Sequence, residues 1–172
     1  MNKMIAAVAA LGVMAGAVSA QSTAQKFDYT PYNYSFRIGV GFPNDGALKA
    51  NQDNWTNIGV DYNFNTSILR NGDSYLSVDW VTEEFSDYDN SMVTIFLNNR
   101  FYMDETSQIY LIGGIGAVIA EFTAGKETIF GGRFGVGYNL GQNIFLTGTY
   151  TFAGKVDGIN PSHTSINIGY RF

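Results

Sequence analysis

The residues best suited to chemistry are a histidine and a serine two positions apart, His163 and Ser165. A neighbouring imidazole can act as the general base that activates a serine hydroxyl as a nucleophile. No carboxylate follows the pair in the chain to orient the imidazole. Because His163 begins a predicted strand, we favour the competing interpretation of a solvated histidine at a strand start, and we assign no catalytic residue.

A second candidate is the acidic run from Glu83 to Asp89, which contains four carboxylates. Oxygen ligands of this kind bind hard divalent cations, including those that bridge lipopolysaccharide. The spacing is not that of an EF-hand loop, so a solvated acidic loop is the favoured interpretation. We predict no metal site and no cofactor.

Two glycine-rich runs invite a nucleotide-binding interpretation, residues 113–116 and residues 131–137. Neither has the G-x-G-x-x-G spacing between a strand and a helix that cradles a pyrophosphate. Glycine inside a strand instead marks a bend or a close approach of backbone. The runs therefore indicate strands and exclude a dinucleotide site.

The first twenty residues indicate the compartment. A basic start at Lys3 precedes an apolar run from Met4 to Val18, and small residues end it at Ala20. This is the layout of a secretory signal peptide, and the run is too short for a membrane-spanning helix. We predict a cleaved signal over 1–20, a short periplasmic lead over 21–32 and one domain over 33–172.

The composition excludes some classes of function. The chain has no cysteine, which rules out a disulfide framework or a lipidated cysteine. Its formal charge of −5 becomes −6 once Lys3 leaves with the signal, and an acidic protein is a poor partner for nucleic acid. Eleven Tyr, thirteen Phe and twenty Gly favour strands rather than helices.

Alternation of apolar and polar residues recurs along the chain after residue 32, which is the period of a β-strand. The strands are predicted at about 33–42, 55–64, 74–82, 91–102, 108–121, 127–140, 143–153 and 163–172. The faces of 108–121 stay unassigned because 109–120 is apolar or glycine throughout. Segments of about ten residues match the length of a tilted transmembrane strand.

The pattern predicts an all-β fold, a closed eight-stranded antiparallel up-and-down transmembrane β-barrel. Longer polar connections at 43–54, 83–90 and 154–161 alternate with shorter ones, as in outer-membrane barrels. One face of the strands lacks charge, as contact with lipid requires, and an open sheet edge in hydrocarbon would leave backbone groups unbonded. The alternative is a soluble sandwich or lipocalin-like barrel with its apolar face inward.

The other face carries the candidate functional residues, a polar network inside the barrel: Arg37, Asp61, Asp79, Arg100, Arg133 and Arg171. They could line a narrow path for water or small ions. We favour an ion-pair network that fills the lumen, because eight strands leave room for little more than side chains. Four arginines face two aspartates, so a water, a glutamate or an anion is needed to complete the pairing.

The segments Tyr110 to Ala117, Gly131 to Tyr138 and Ile166 to Phe172 resemble the small outer-membrane β-barrel superfamily of opacity, OmpA-like and OmpX-like proteins. The resemblance spans about 33–172, and we expect no periplasmic peptidoglycan-binding domain after it. Its most specific part is the ending, where Tyr170 and Phe172 resemble the signal read by the barrel-insertion machinery. The resemblance implies a cell outer-membrane location with lipids and lipopolysaccharide as neighbours.

Three functions follow as hypotheses. The first is a non-enzymatic outer-membrane protein with a structural or surface-interaction role and at most small pore activity, its surface partner unnamed by the sequence. The second is a narrow porin for small solutes. The third is a lipid A-modifying barrel enzyme, because lipid A deacylases also carry a His-x-Ser pair, although the rest of their motif is absent here.

Overall fold

A computed structural model describes residues 32–50, 53–64, 72–83, 90–102, 107–122 and 125–172. Each strand pairs antiparallel with the next, and β8 pairs with β1, so the sheet closes into a barrel. The strands are β1 Tyr34–Pro43, β2 Trp55–Asn63, β3 Gly72–Thr82, β4 Ser91–Tyr102, β5 Ile109–Phe122, β6 Gly125–Asn139, β7 Ile144–Ala153 and β8 His163–Arg171. The predicted eight-stranded up-and-down barrel is confirmed. The predicted signal and nearly all of the lead lie outside the described residues.

Two strands begin earlier than predicted. β6 starts at Gly125 rather than 127 because its ladder with β5 continues to the pair Phe122 and Gly125. β3 starts at Gly72 rather than 74 because it pairs with the end of β4 as far as Phe101. The other boundaries differ from prediction by one residue or not at all.

The exterior of the barrel is apolar, which confirms the predicted outward faces. Large side chains exposed on it come from every strand, including Phe36, Val60, Val78, Ile95, Ile115, Phe134, Phe152 and Ile166. A soluble barrel would place these side chains inside and charges outside. The arrangement is the one that a barrel surrounded by lipid requires.

The structure assigns the two faces of β5, which the sequence left open. Tyr110, Ile112 and Val118 point inward and are buried, whereas Leu111 and Ile115 are exposed on the outside. The outward residues face lipid, whereas the inward residues pack in two apolar clusters, Ala120 and Phe122 at one end of the strand and Tyr110 and Ile112 at the other. This is why the strand shows no alternation.

One short helix, α1 (Gly46–Lys49), interrupts the connection between β1 and β2. It was not predicted, and its N-cap is Asp45, whose side chain accepts from the Ala47 amide. Within the described parts of the chain, no helix has the length and apolarity to cross a membrane.

The barrel has two ends, a terminal end near Tyr34 and Phe172 and a distal end opposite it. At the terminal end, the backbones of Tyr34 and Phe172 exchange hydrogen bonds of 3.3 and 3.0 Å. The distal end carries the connections after β1, β3, β5 and β7. Between them the lumen is filled in three layers: an apolar plug, an ion cluster and an arginine–tyrosine layer.

Candidate functional site in the barrel lumen

The apolar plug closes the distal end of the lumen. Its members are all buried, with Ile129 and Ile159 packed against them: Leu48, Trp55, Val81, Met92, Ala120, Phe122 and Val156. Five of these are inward-facing residues of strand ends. Leu48 comes from α1 and Val156 from the connection after β7, so two connections predicted to be long and polar supply part of the barrel interior.

A tight turn aims Val156 into the plug. Val156 and Ile159 exchange backbone hydrogen bonds of 2.8 and 2.9 Å. Between them Asp157 and Gly158 have φ values of 48° and 87°, and two positive φ values at the centre of a turn are those of type I′. Asp-Gly suits this turn because both residues tolerate the left-handed region, so the two apolar flanks point the same way.

Asp45 joins the two connections that cover the plug. One carboxylate oxygen accepts from the Ala47 amide at 2.8 Å, and the other accepts from the Asn160 amide at 2.9 Å. The Asn44 amide also donates to the Ser162 carbonyl at 3.0 Å. Both hydrogen bonds to the carboxylate favour its ionised form and hold the pKa of Asp45 below its usual value.

The ion cluster fills the middle of the lumen with four of the six charged residues singled out in the sequence. Arg37 pairs with Asp61 and with Asp79, each at 2.7 Å. Arg133 pairs with Asp79 at 2.7 Å. Two positive and two negative charges make this cluster neutral, and the hydroxyls of Ser35 and Thr94 donate to its carboxylates.

The arginine–tyrosine layer lies toward the terminal end and holds the other two arginines. Arg100 donates to Asn63 at 2.7 Å, and its guanidinium carbon lies 4.0 Å from the centre of the Tyr75 ring. Arg171 donates to Asn139 at 2.7 Å and packs over Phe145 at 4.3 Å. The structure therefore brings four of the predicted residues into one cluster and places Arg100 and Arg171 apart from it.

The prediction of a solvated His163 is wrong. The side chain is 1% exposed because it occupies the first inward-facing position of β8, and its Nδ1 lies 3.0 Å from the Pro161 carbonyl oxygen. Ser165 is also buried, and its hydroxyl has no hydrogen-bond partner among the described residues. Both side chains face the lumen and are buried, so neither is presented to a lipid substrate outside the barrel.

The acidic run is described only at its edge. The side chain of Asn90 donates to Glu83 at 2.9 Å, and residues 84–89 lie outside the described residues. Across the described ranges, no group of three or more acidic, histidine or cysteine side chains is arranged to hold a metal ion.

The apolar plug is the feature that the sequence interpretation missed. Two signals were present: Asp157-Gly158 is a type I′ turn sequence, and it is flanked by Val156 and Ile159 in an otherwise polar connection. Leu48 gave no comparable signal. A single apolar residue in a loop is common on protein surfaces and predicts nothing by itself.

The closed eight-stranded fold is that of the small barrels known from outer membranes. The structure is similar to Ail of Yersinia pestis solved in a phospholipid nanodisc, with 18% identity, 82% of this chain and 99% of that chain covered, and a TM-score of 0.55. It is also similar to the N-terminal barrel of OprF from Pseudomonas aeruginosa (13% identity, 82% and 98% covered, TM-score 0.54). Neisserial surface protein A shows 11% identity, 80% and 94% coverage and a TM-score of 0.52.

At these identities the comparisons show a shared fold. They bear out the resemblance to small outer-membrane barrels at that level. No protein-family model matches the sequence, and no curated protein matches it.

Proposed function

We propose that this chain is an integral protein of the cell outer membrane that catalyses no reaction and acts through its structure and its distal surface. One observation carries the proposal: the exterior is apolar while the lumen is filled from the plug through the ion cluster. A barrel filled from the plug through the ion cluster offers a macromolecular partner only its lipid-facing wall and its connections. The predicted signal peptide supports export.

The filled lumen argues against the narrow porin. An ion that enters from the distal end meets a dry layer built from Trp55, Met92 and Phe122, and then the paired charges of the ion cluster. Losing its hydration shell in an apolar layer costs an ion several kcal/mol or more. We therefore propose that the barrel conducts little or nothing.

The test combines an electrophoresis assay with conductance. Purified protein run unboiled and boiled should show two positions on a detergent gel, because a closed barrel resists detergent until it is heated. The same sample in planar bilayers should stay silent or give rare small steps. A protein that stays soluble without detergent, or steady large conductance, would refute the proposal.

We further propose that the distal surface contacts lipopolysaccharide through divalent cations. The segments 44–54, 83–90 and 154–162 contain seven Asp or Glu and two Lys, a net charge of 2 − 7 = −5. One solved structure of Ail contains the heparin analogue sucrose octasulfate, and such a polyanion would be repelled here. Magnesium should increase binding to lipopolysaccharide-containing vesicles, and removing it with a chelator should abolish the increase.

We also propose that β8 is read by the barrel-insertion machinery. Tyr170 and Phe172 are both exposed on the outside at the terminal end. Replacing both with Ala should lower the amount of folded barrel in cells, whereas the purified variant should still refold in detergent. Tyr62→Ala removes an exposed aromatic from the same end and should assemble normally; equal defects in both variants would contradict the proposal.

A further inference from the structure

The positive charge of the lumen is concentrated at one level. Once Arg37, Asp61, Asp79 and Arg133 neutralise one another, the remaining charged residues of the predicted network are Arg100 and Arg171. Arg100 is 3% exposed and forms no ion pair with a carboxylate of the described residues. Asp73 lies opposite it in the β3–β4 register and is only half-buried. Among the described residues, this buried cation therefore has no carboxylate as an ion-pair partner.

The immediate surroundings of Arg100 satisfy it only in part. A guanidinium has five N–H donors and keeps its charge at any physiological pH. Among the described residues, one side-chain acceptor is used, the Asn63 oxygen. Tyr75 and Tyr110 contribute ring faces at 4.0 and 5.9 Å, which attract a cation but accept no conventional N–H···O hydrogen bond.

The Tyr110 hydroxyl is a second observation, independent of Arg100, that points to a bound ligand. Its ring is completely buried, and its hydroxyl has no hydrogen-bond partner in the described part of the chain. Buried hydroxyls are nearly always paired. The hydroxyl lies against Gly137, where any side chain would overlap it.

Arg171 reaches the same level from β8. It donates to Asn139, which is the next inward-facing residue of β6 after Gly137, the residue that Tyr110 contacts. Arg100 on β4, Tyr110 on β5 and Arg171 on β8 thus lie at the same level of the lumen. A negatively charged oxygen group can accept from the Arg100 guanidinium and from the Tyr110 hydroxyl at the same time.

We propose that Arg100 and Tyr110, assisted by Arg171, form a binding site for a small free oxyanion of the phosphate type. Planar guanidinium groups bind such oxygens in a bidentate manner, and a phenol hydroxyl adds one more donor. The plug closes the distal end, so the anion enters from the terminal end, whose described residues include the polar Gln108, Gln142 and Asn143. An eight-stranded lumen admits only a small ligand.

The experiment measures the midpoint of thermal unfolding of the full-length mature protein in uncharged detergent, with sodium phosphate titrated against sodium chloride at matched ionic strength. A ligand that binds only the folded state raises the midpoint with its concentration. Phosphate should raise it saturably and well beyond chloride. Unboiled gel samples at each point report that the barrel is folded, so a failed site is distinguishable from a failed barrel.

Three variants locate the site. Arg100→Gln should remove the difference between phosphate and chloride. Tyr110→Phe keeps the packing and loses only the hydroxyl, and it should raise the half-saturating phosphate concentration about tenfold, as expected for one hydrogen bond to a charged group. Lys126→Gln removes an exposed cation at the distal end and should leave the phosphate response intact.

Two results would overturn the site. Equal shifts with phosphate and chloride would mean that salt only screens the repulsion between the arginines. A Tyr110→Phe barrel with an unchanged phosphate response would mean that the hydroxyl faces no anion. Because Tyr110→Phe is nearly isosteric, the test stands even where Arg100→Gln fails to fold.

Discussion

Asp79 is the residue on which the ion cluster depends, because it alone bridges both of the arginines in that cluster. Its two carboxylate oxygens lie 2.7 Å from Arg37 and 2.7 Å from Arg133. Asp61 pairs with Arg37 alone. Without Asp79, the buried Arg133 would keep the Phe96 ring face and, among the described residues, side-chain hydrogen bonds only to the hydroxyls of Ser77, Thr94 and Thr151.

We expect Asp79→Asn to lower the free energy of unfolding by about 3–5 kcal/mol, the usual result of leaving a buried charge without its partner. This change is measured by unfolding the protein with urea in lipid vesicles, with the heat-modifiable gel band as the readout of the folded fraction. The control is Glu121→Gln, which breaks the exposed pair with Lys126 and should cost less than about 1 kcal/mol. Similar losses in the two variants would show that the cluster is solvated.

Gly39 tests how closely β1 and β8 approach inside the barrel. A Cβ at this position would overlap the Ile166 carbonyl oxygen and lie 2.7 Å from the Cα of Asn167. Backbone atoms cannot move aside cheaply, so Gly39→Ala should destabilise the barrel by about 1–3 kcal/mol. Gly148→Ala on β7, where nothing lies within 4 Å, should be close to neutral in the same urea assay.

At the scale of elements, the connections after β1 and β7 act as parts of the interior. Val156 is fully buried in the plug together with Trp55. We expect Val156→Asp to open the plug, because a carboxylate does not stay in an apolar layer. In a Trp80→Phe background, acrylamide should then quench Trp55 several-fold more efficiently. Lys155→Gln, a change at the exposed neighbour, should leave quenching unchanged; no change in Val156→Asp would contradict the plug.

The contact between Asp45 and Asn160 gives the plug a defined dependence on pH. The pKa of Asp45 is lowered in the folded state by its two backbone hydrogen bonds, so its contribution is complete above the unfolded value of about 3.9. It is lost as pH falls through the lower folded value. Trp55 quenching should therefore be flat from pH 8 to about 5 and rise only under more acidic conditions. A rise in Trp55 quenching centred near neutral pH would exclude the protonation of Asp45 as its cause.

Asp45→Asn is the matching variant for that experiment. An amide has one oxygen acceptor, so it can keep the bond from the Ala47 amide or the bond from the Asn160 amide, but not both in the same way. Quenching of Trp55 should be moderately raised at neutral pH. The rise in quenching that is expected for the native chain under acidic conditions should be absent from this variant.

For the whole molecule, the apolar exterior predicts that the loss of stability caused by an outward-facing charge depends on its depth in the bilayer. Ile95 lies near the middle of β4 and Ile109 at the terminal end of β5, and both are exposed outward. Ile95→Lys should lower the stability in lipid vesicles by about 2–4 kcal/mol, and Ile109→Lys by about 0–1 kcal/mol. Equal effects at the two depths would place the exterior in water.

The barrel and most of its faces could be predicted from the sequence because period-two alternation is a local property. Strands such as β8 show it residue by residue, with His163, Ser165 and Asn167 inward and Ile166 and Tyr170 outward. The requirement that backbone groups be paired in lipid then closes the sheet. β5 was the exception, since its two sides meet different apolar surroundings.

The sequence by itself thus determined the strand count, the closed topology, the lipid-facing wall and the identities of the six lumen charges. Only the tertiary structure decided how those charges divide, with Asp79 joining Arg37 and Arg133 while Arg100 lies among tyrosines. It also decided that the side chains of Leu48 and Val156, which belong to connections between strands, are buried in the lumen. The reason is that alternation specifies which side of a strand a residue occupies, whereas the stagger of a closed sheet decides which side chains meet across it.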